Sequence, residues 1–313
     1  MAASEISSGP TCPCPALRPC ACGNSTSKTY QVCPPTGYPL GTGKRQHVVE
    51  VLDTVDMGTS ILVNVQVRPD FTAETALQTV ANLVQQVGLP TAVTVDRDVR
   101  FVGAPQQRDF PSPFVRFWLC LGVAVTICPP RRPDLNAFVE RYHRSFEYAC
   151  LRIYRPHDLA TATAVTAAYQ LGINERPHQG LSCANLPPHV AFPTLPTLPP
   201  VPALVDADRW LHAYDDHRFM RHVKANGQVL VADVPYYVKT TLAKQAVAMR
   251  VDADAGQFVV EANGQEVQRL AIKGIGQGVL PFTTFVERLC GNARTTPRPS
   301  KGDTALRAPW HHR

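Results

Sequence analysis

No apolar run in the chain approaches the ~18 residues a membrane-spanning helix requires, so none is expected. The N-terminus lacks a basic patch followed by an apolar stretch, which speaks against a secretory leader. Charge is sparse: 31 Lys+Arg and 25 Asp+Glu in 313 residues, 18% charged, with a formal net charge of +6. That mild basicity permits a nucleic-acid partner without implying one. No internal repeat is present. In contrast, proline is abundant, with 29 residues, and cysteine reaches 10. A chain this long is not a small disulfide scaffold, so the cysteines need another reading.

Five of them (Cys12, Cys14, Cys20, Cys22, Cys33) fall in the first 33 residues, and the other five sit in periodic segments as buried thiols would. Residues 1–43 show no helical or strand period and too little apolar surface to offset ordering entropy. They read as a disordered Cys/Pro-rich segment. Seven prolines between 187 and 202 mark an extended linker, placed at 194–214. Beyond Gly291, five basic residues against Asp303 read as a disordered basic tail, 291–313. Two folded regions are expected between these, 44–193 and 215–290. The charge excess belongs to the ends: residues 1–47 carry net +3, 291–313 net +4, and the body net −1. Within the body, 48–96 holds one basic and six acidic residues, whereas 97–176 holds 11 Arg, no Lys and seven acids.

In the first folded region, Val48–Leu52 and the alternating Ile61–Val67 predict strands. Leu77, Val80, Val84 and Val87 space an amphipathic helix over Thr72–Val87, stopped by Gly88 and Pro90. Thr91–Val95 predicts a strand ending on Asp96, Pro113–Leu121 a helix, and Ala124–Cys128 another strand. Leu135–Ile153 is the strongest helix, with Val139, Tyr142, Phe146, Ala149, Cys150 and Ile153 on one stripe and Glu140 beside it. That order is a mixed α/β layer architecture. Asp96 and Glu140 are carboxylates of the kind that hold hard divalent cations, and two such cations assist phosphodiester displacement. Most acids at strand ends are merely solvated.

Thr94-Val-Asp-Arg-Asp-Val-Arg-Phe101, Pro133-Asp-Leu-Asn-Ala-Phe-Val-Glu-Arg-Tyr-His-Arg-Ser-Phe146 and Asn174-Glu-Arg-Pro-His-Gln-Gly-Leu181, in that order, resemble the retroviral-integrase-type catalytic core of bacterial insertion-sequence transposases. His47–Ser60 resembles the second core strand, with Asp56 as its non-catalytic turn acid. The resemblance covers about 44–193. It implies a ribonuclease H-like fold, Mg²⁺ or Mn²⁺ at a two-metal site, and cleavage and joining of DNA at element ends and target. It carries catalytic and metal-binding roles onto Asp96 and Glu140, the second and third members of an Asp-Asp-Glu triad, and implies a homo-oligomer when active, cytoplasmic and free of membrane. Arg97 and Asp98 depart from the family's Asn-Gly, Ala137 replaces its Gly, and the Asp96-to-Glu140 spacing is long, the excess falling in Gly103–Pro113.

The first triad Asp is missing. Tyr30-Gln-Val resembles the strand that carries it but reaches Cys33, whose thiolate is too soft for Mg²⁺. Asp53, near the end of the second strand, is a possible substitute. A frameshift or alternative start in a decayed element would explain the foreign N-terminus, and strand cleavage and transfer are expected to be impaired. Cys12-Pro-Cys14 and Cys20-Ala-Cys22 leave a zinc site open, although the pairs are separated by one residue rather than two. A non-catalytic DNA-binding remnant and a ribonuclease H-like nuclease remain as alternatives.

Arginine forks pair with phosphate, so Arg131, Arg132, Arg141 and Arg144 around the Glu140 helix are DNA-contact candidates; the plain reading is a solvated face with Glu140–Arg144 and Arg144–Glu147 pairs. Residues 215–275 carry five short strand patterns with Asn226-Gly227 and Asn263-Gly264 turns, which suggests a small all-β barrel. It resembles the C-terminal barrel of integrases, which binds DNA. Arg221, Lys224, Lys239 and Lys244 are its contact candidates.

Overall fold

The computed structural model describes residues 29–32, 36–40, 47–103, 109–129, 137–178, 183–194 and 197–294. Strands β1 (Thr29–Val32) and β2 (Thr36–Leu40) precede the long β3 (His47–Asp56). Both pair antiparallel with the same edge of β3: Val32 opposite Thr54, Thr36 opposite Val51, Leu40 opposite His47. The pairing register moves by one residue between them, so they act as two lengths of one strand line. The expected boundary at 44 therefore cuts through the sheet. Each strand is only four or five residues long, too short to show a period against the Pro-rich text around it.

On the other edge of β3 lies β4 (Leu62–Arg68). The chain then forms α1 (Ala73–Val87), β5 (Ala92–Val95), the short α2 (Val99–Val102), α3 (Pro113–Cys120) and β6 (Ala124–Ile127). β5 runs parallel to β1, and β6 parallel to β5. Three antiparallel strand lines followed by two parallel ones make a mixed α/β sheet. Thr72 starts α1 through a capping box with Thr75, and Gly88 ends it at φ 90°. A Cβ on Gly88 would stand 2.6 Å from Leu198 Cβ, and Leu89 N–H donates to the Pro199 carbonyl at 2.8 Å. The Pro-rich segment is thus laid against the end of α1 rather than standing free.

The expected long helix is α4 (Ala137–Phe146), a π-helical turn over Glu147–Leu151, and α5 (Arg152–Tyr154). Two further helices, α6 (Leu159–Asn174) and α7 (Pro188–Ala191), follow. α4 and α6 cover one sheet face, where Tyr38, Val51, Phe146, Cys150 and Tyr169 cluster. α1 and α3 cover the other.

The C-terminal region contains β7 (Leu204–Asp206), a 3-10 turn over Arg209–Tyr214, β8 (Arg218–His222), β9 (Gln228–Val231), β10 (Val234–Tyr237), β11 (Ala246–Asp252), β12 (Gln257–Ala262), β13 (Gln265–Ala271), β14 (Val279–Pro281) and α8 (Phe282–Ala293). The strands form a four-stranded sheet, β13-β12-β11-β8, and two separate pairs, β10-β9 and β14-β7. The expected closed barrel is not formed, and the module is not all-β. Its inner face is instead closed by the core: one apolar cluster runs from Leu77, Phe117 and Trp118 through Trp210 and Phe258 to Phe285.

Candidate functional site

The site is a row across the sheet. Val95 lies beside Val32 and beside Ile127, and Val32 lies opposite Thr54. One residue further along come Asp96 after β5, Cys128 after β6 and Asp53 on β3. Cys33 follows Val32 in the chain and lies outside the described residues. Strand spacing puts the backbones of Asp96 and Asp53 roughly 10 Å apart, two columns. Val93 and Val95 point into the α1/α3 core, so alternation turns Asp96 toward the α4 face. Asp53 shares that face with Val51.

Asp96 is buried, and Asp98 N–H donates to its Oδ1 at 2.7 Å. The Arg97-Asp98 departure from the family text builds a locked turn here. Arg97 Nε donates to the Cys128 carbonyl at 3.0 Å. Asp98 caps α2 and pairs with Arg100 at 2.8 Å, and Arg100, itself buried, reaches Glu50 on β3 at 3.0 Å. Burial, then the neighbouring Asp96, raises the Cys128 thiol above its usual range.

Asp53 is fully buried. Tyr142 OH donates to its Oδ1 at 3.3 Å, and its Oδ2 lies 3.7 Å from His143 Nδ1. Burial pushes Asp53 up to about 8 against the pull of the Tyr142 bond, and pushes His143 down to about 4. Both shifts favour the neutral form of the side chain. Asp56 is the turn acid expected: Thr59 Oγ1 donates to its Oδ2 at 2.5 Å, and Ser60 N–H donates to its carbonyl at 2.8 Å.

Position 140 lies on α4 three residues before His143, hence on a similar side of the helix. The side chains of Glu140 and Arg141, and all of Arg131 and Arg132, lie outside what is described. Among the described residues no group of three ligating side chains forms a metal site. Asp96 and Asp53 by themselves are too few ligands for a two-cation site.

Arg144 is exposed, while Glu147 pairs with Arg152 at 2.8 Å. Arg221 is committed to structure: it pairs with Asp109, and its Nε donates to the Leu230 carbonyl at 2.8 Å. Lys224, Lys239 and Lys244 are exposed, and their backbones lie near one another. Lys244 N–H donates to the Val223 carbonyl at 2.8 Å, and a Cβ on Gly227 would stand 3.0 Å from the Lys239 carbonyl carbon. Tyr237, 54% exposed, packs on the same glycine and was not singled out from sequence. Sequence reasoning also left Asn174 without a role: it accepts from Leu62 N–H at 2.9 Å and donates to the Leu62 carbonyl at 3.1 Å, fixing the end of α6 to β4. The paired cysteines at 12–14 and 20–22 lie outside the described residues. Cys120, Cys128, Cys150, Cys183 and Cys290 are buried, as expected. No described helix is long and apolar enough to cross a membrane.

Residues 121–188 match the family model described as the integrase core domain. The matched segment holds Glu140 and the Asn174–Leu181 signature, so the likeness falls where the motifs pointed. The more particular likeness is to an insertion element IS407 protein of 31.7 kDa from Burkholderia multivorans, 34% identical over 103 residues, covering 30% of this chain and 37% of that protein. These matches show the insertion-sequence transposase likeness; the match spans little more than a third of that relative's length. In outline the chain is also similar to the HTLV-2 integrase catalytic core in complex with magnesium (15% identity, 52% of this chain and 95% of that one, TM-score 0.37). It is similar too to a chain of the simian T-cell lymphotropic virus intasome with a PP2A regulatory subunit (13% identity, 81% and 77%, TM-score 0.40).

Proposed function

We propose that this chain is a transposase-like protein of DNA integration, with a ribonuclease H-like core whose metal-dependent strand cleavage and strand transfer are impaired at the first acidic position. The observation that carries the reading is the row in which Asp96 follows Val95 and Asp53 precedes Thr54, the two strand neighbours of Val32, whose next residue in the sequence is Cys33. The strand order, three antiparallel lines and then two parallel ones, supports the fold. Asp96 and Glu140 would be the ligands for Mg²⁺ or Mn²⁺, which when bound polarises a phosphoryl oxygen. With a thiol at 33 in place of a carboxylate, the set falls short of two cations. Asp98 and Arg100 hold the Asp96 turn, and Arg131, Arg132, Arg141 and Arg144 would guide the DNA backbone toward it.

The test is Mn²⁺-dependent nicking and joining of duplex DNA by the full chain, by Cys33→Asp, and by Cys33→Asp combined with Asp96→Asn. The expected result is no chemistry in the parent, a gain in the single variant and loss in the double. Robust strand transfer by the unaltered chain overturns the impairment. Nicking without joining in Cys33→Asp points to a nuclease of the same fold.

A second reading, a DNA-binding remnant, is favoured by the Lys224, Lys239 and Lys244 cluster beside Tyr237. Replacing the three lysines by alanine is expected to weaken DNA binding and to flatten the slope of log affinity against log salt by about three, close to one per phosphate contact. An unchanged slope in a titration from low to high salt removes these lysines from the interface.

A further inference from the structure

One tetrapeptide, Ala-Asn-Gly-Gln, forms two turns of the C-terminal module, at Ala225–Gln228 and at Ala262–Gln265. An asparagine followed by glycine leaves its side-chain amide open to the next backbone nitrogen, because glycine has no Cβ to block the approach. With the same immediate neighbours, the two asparagines share one intrinsic chemistry. Their surroundings in the fold are opposite.

The first turn is clamped. Gly227 is buried, and a Cβ there would stand 2.8 Å from Thr240 N and 2.9 Å from Tyr237 Cε2. Its N–H, the group that would attack, donates to the Lys224 carbonyl at 2.9 Å, and its carbonyl accepts from Val238 N–H at 2.8 Å. The Asn226 amide is held at both atoms: Nδ2 donates to Gln228 Oε1 at 3.1 Å, and Oδ1 accepts from Gln228 N–H at 3.2 Å. The second turn is open. Asn263 and Gly264 are exposed at φ 52° and 77°, and a Cβ on Gly264 would meet nothing within 4 Å. Among the described residues nothing bonds the Asn263 side chain or the Gly264 N–H. The turn joins β12 to β13, the edge strand of its sheet, so it opens by breaking the closing Ala262–Gln265 pair alone.

We propose that Asn263 is a site of spontaneous deamidation in the folded chain, and that the clamp on Gly227 withholds the same reaction from Asn226. The Gly264 nitrogen attacks Asn263 Cγ and a C–N bond closes a succinimide ring. The amide nitrogen leaves as ammonia, taking up the proton that Gly264 N–H gives up. Water then opens the ring at either carbonyl, giving aspartate or isoaspartate. Either product places a new negative charge in the turn next to the facing Glu261 and Glu266. Isoaspartate also adds a carbon to the main chain of a two-residue loop, which the register of β12 with β13 does not accommodate. At Asn226 the same charge would fall beside Lys224, so the clamp preserves the charge of the lysine surface. The inference concerns the chemistry of the turns and holds whether or not the chain acts on DNA.

The test is incubation of the full chain in mildly alkaline buffer, followed by peptide mass spectrometry at both turns. Isoaspartate is read separately, as methyl acceptance from S-adenosylmethionine by an isoaspartyl methyltransferase. In the folded chain the Asn263 amide should be lost at least about tenfold faster than the Asn226 amide, because the clamped turn opens more rarely. In denaturant the two should react at nearly one rate. Gln228→Ala frees the Asn226 amide nitrogen; it should raise the Asn226 rate severalfold in the folded chain and leave Asn263 as it was. Equal rates in the folded chain, or an unreactive Asn263, overturn the proposal. A difference that persists in denaturant assigns the selectivity to sequence rather than to the clamp and overturns it as well. An Asn226 rate indifferent to Gln228→Ala overturns the part given to the side-chain bonds.

Discussion

Phe110→Ala is expected to destabilise the chain by about 3–5 kcal/mol, the range for removing a large buried aromatic from a packed core. Phe110 comes from the segment between α2 and α3 but lies among residues of the C-terminal module. Its ring centroid is 5.1 Å from Trp210, 5.9 Å from Tyr214, 5.6 Å from Phe219 and 6.1 Å from Phe258. Such aromatic contacts add to the area term, and the vacated space is walled by rigid rings that collapse poorly. Beside it, Asp109 pairs with Arg221 and accepts from Ala232 N–H at 2.7 Å, so the variant also loosens a polar contact between the two parts. In thermal unfolding the variant should melt well below the parent, and intrinsic fluorescence should report Trp210 early in the transition. A loss below 1 kcal/mol would mean that Phe110 is not a structural key.

The second large effect is in the pH dependence of stability. The folded-state value of Asp53 is raised from 3.8 to about 8, so between these limits the folded chain holds a proton that the unfolded chain has lost. Stability contributed there is full at the acid end and is lost as pH rises through about 8. His143 acts in the opposite direction: its value falls from 6.5 to about 4, so its contribution is lost as pH drops through that window. The two slopes offset one another up to about 6.5, and above it only Asp53 titrates. The parent should therefore lose on the order of 2 kcal/mol between pH 6.5 and 8. Asp53→Asn keeps an oxygen for Tyr142 and cannot ionise, so its stability should stay level across that range. Denaturant titrations of both proteins at several pH values make the comparison, and parallel curves above pH 6.5 would show that Asp53 is not the titrating group.

Much of the core was legible because its residues obey simple periods. Leu77, Val80 and Val84 located α1, and the strand ending at Val95 placed Asp96. The site row was half legible: Asp96 and Asp56 took the places the motifs gave them, whereas the raised pKa of Asp53 comes from burial beneath α4, against the pull of Tyr142, 89 residues away in the chain. α6 escaped the period argument because it has no polar side to set against an apolar one. α8 escaped because its apolar residues follow a run of strands and face α1 and α3, across the boundary between modules. The C-terminal strands were visible one by one, but their closure into a barrel was not theirs to make: the core supplies the surface that a barrel would have supplied for itself. The inward lean of Arg221 is of the same kind, since nothing near it in sequence announces Asp109.

The extra length between Asp96 and Glu140 bears on how this chain tolerates change. Insertions at surface loops are usually the first parts that can be trimmed without loss. This one carries a buried aromatic plug and an anchoring carboxylate at its far end, and at its near end the Arg100 anchor to Glu50. Removing Asp109 and Phe110 would pull the plug out of the C-terminal module and take away the partner of Arg221. Its described end is a fastening rather than slack, and deletions that remove Asp109 or Phe110 should be as poorly tolerated as deletions in a core strand.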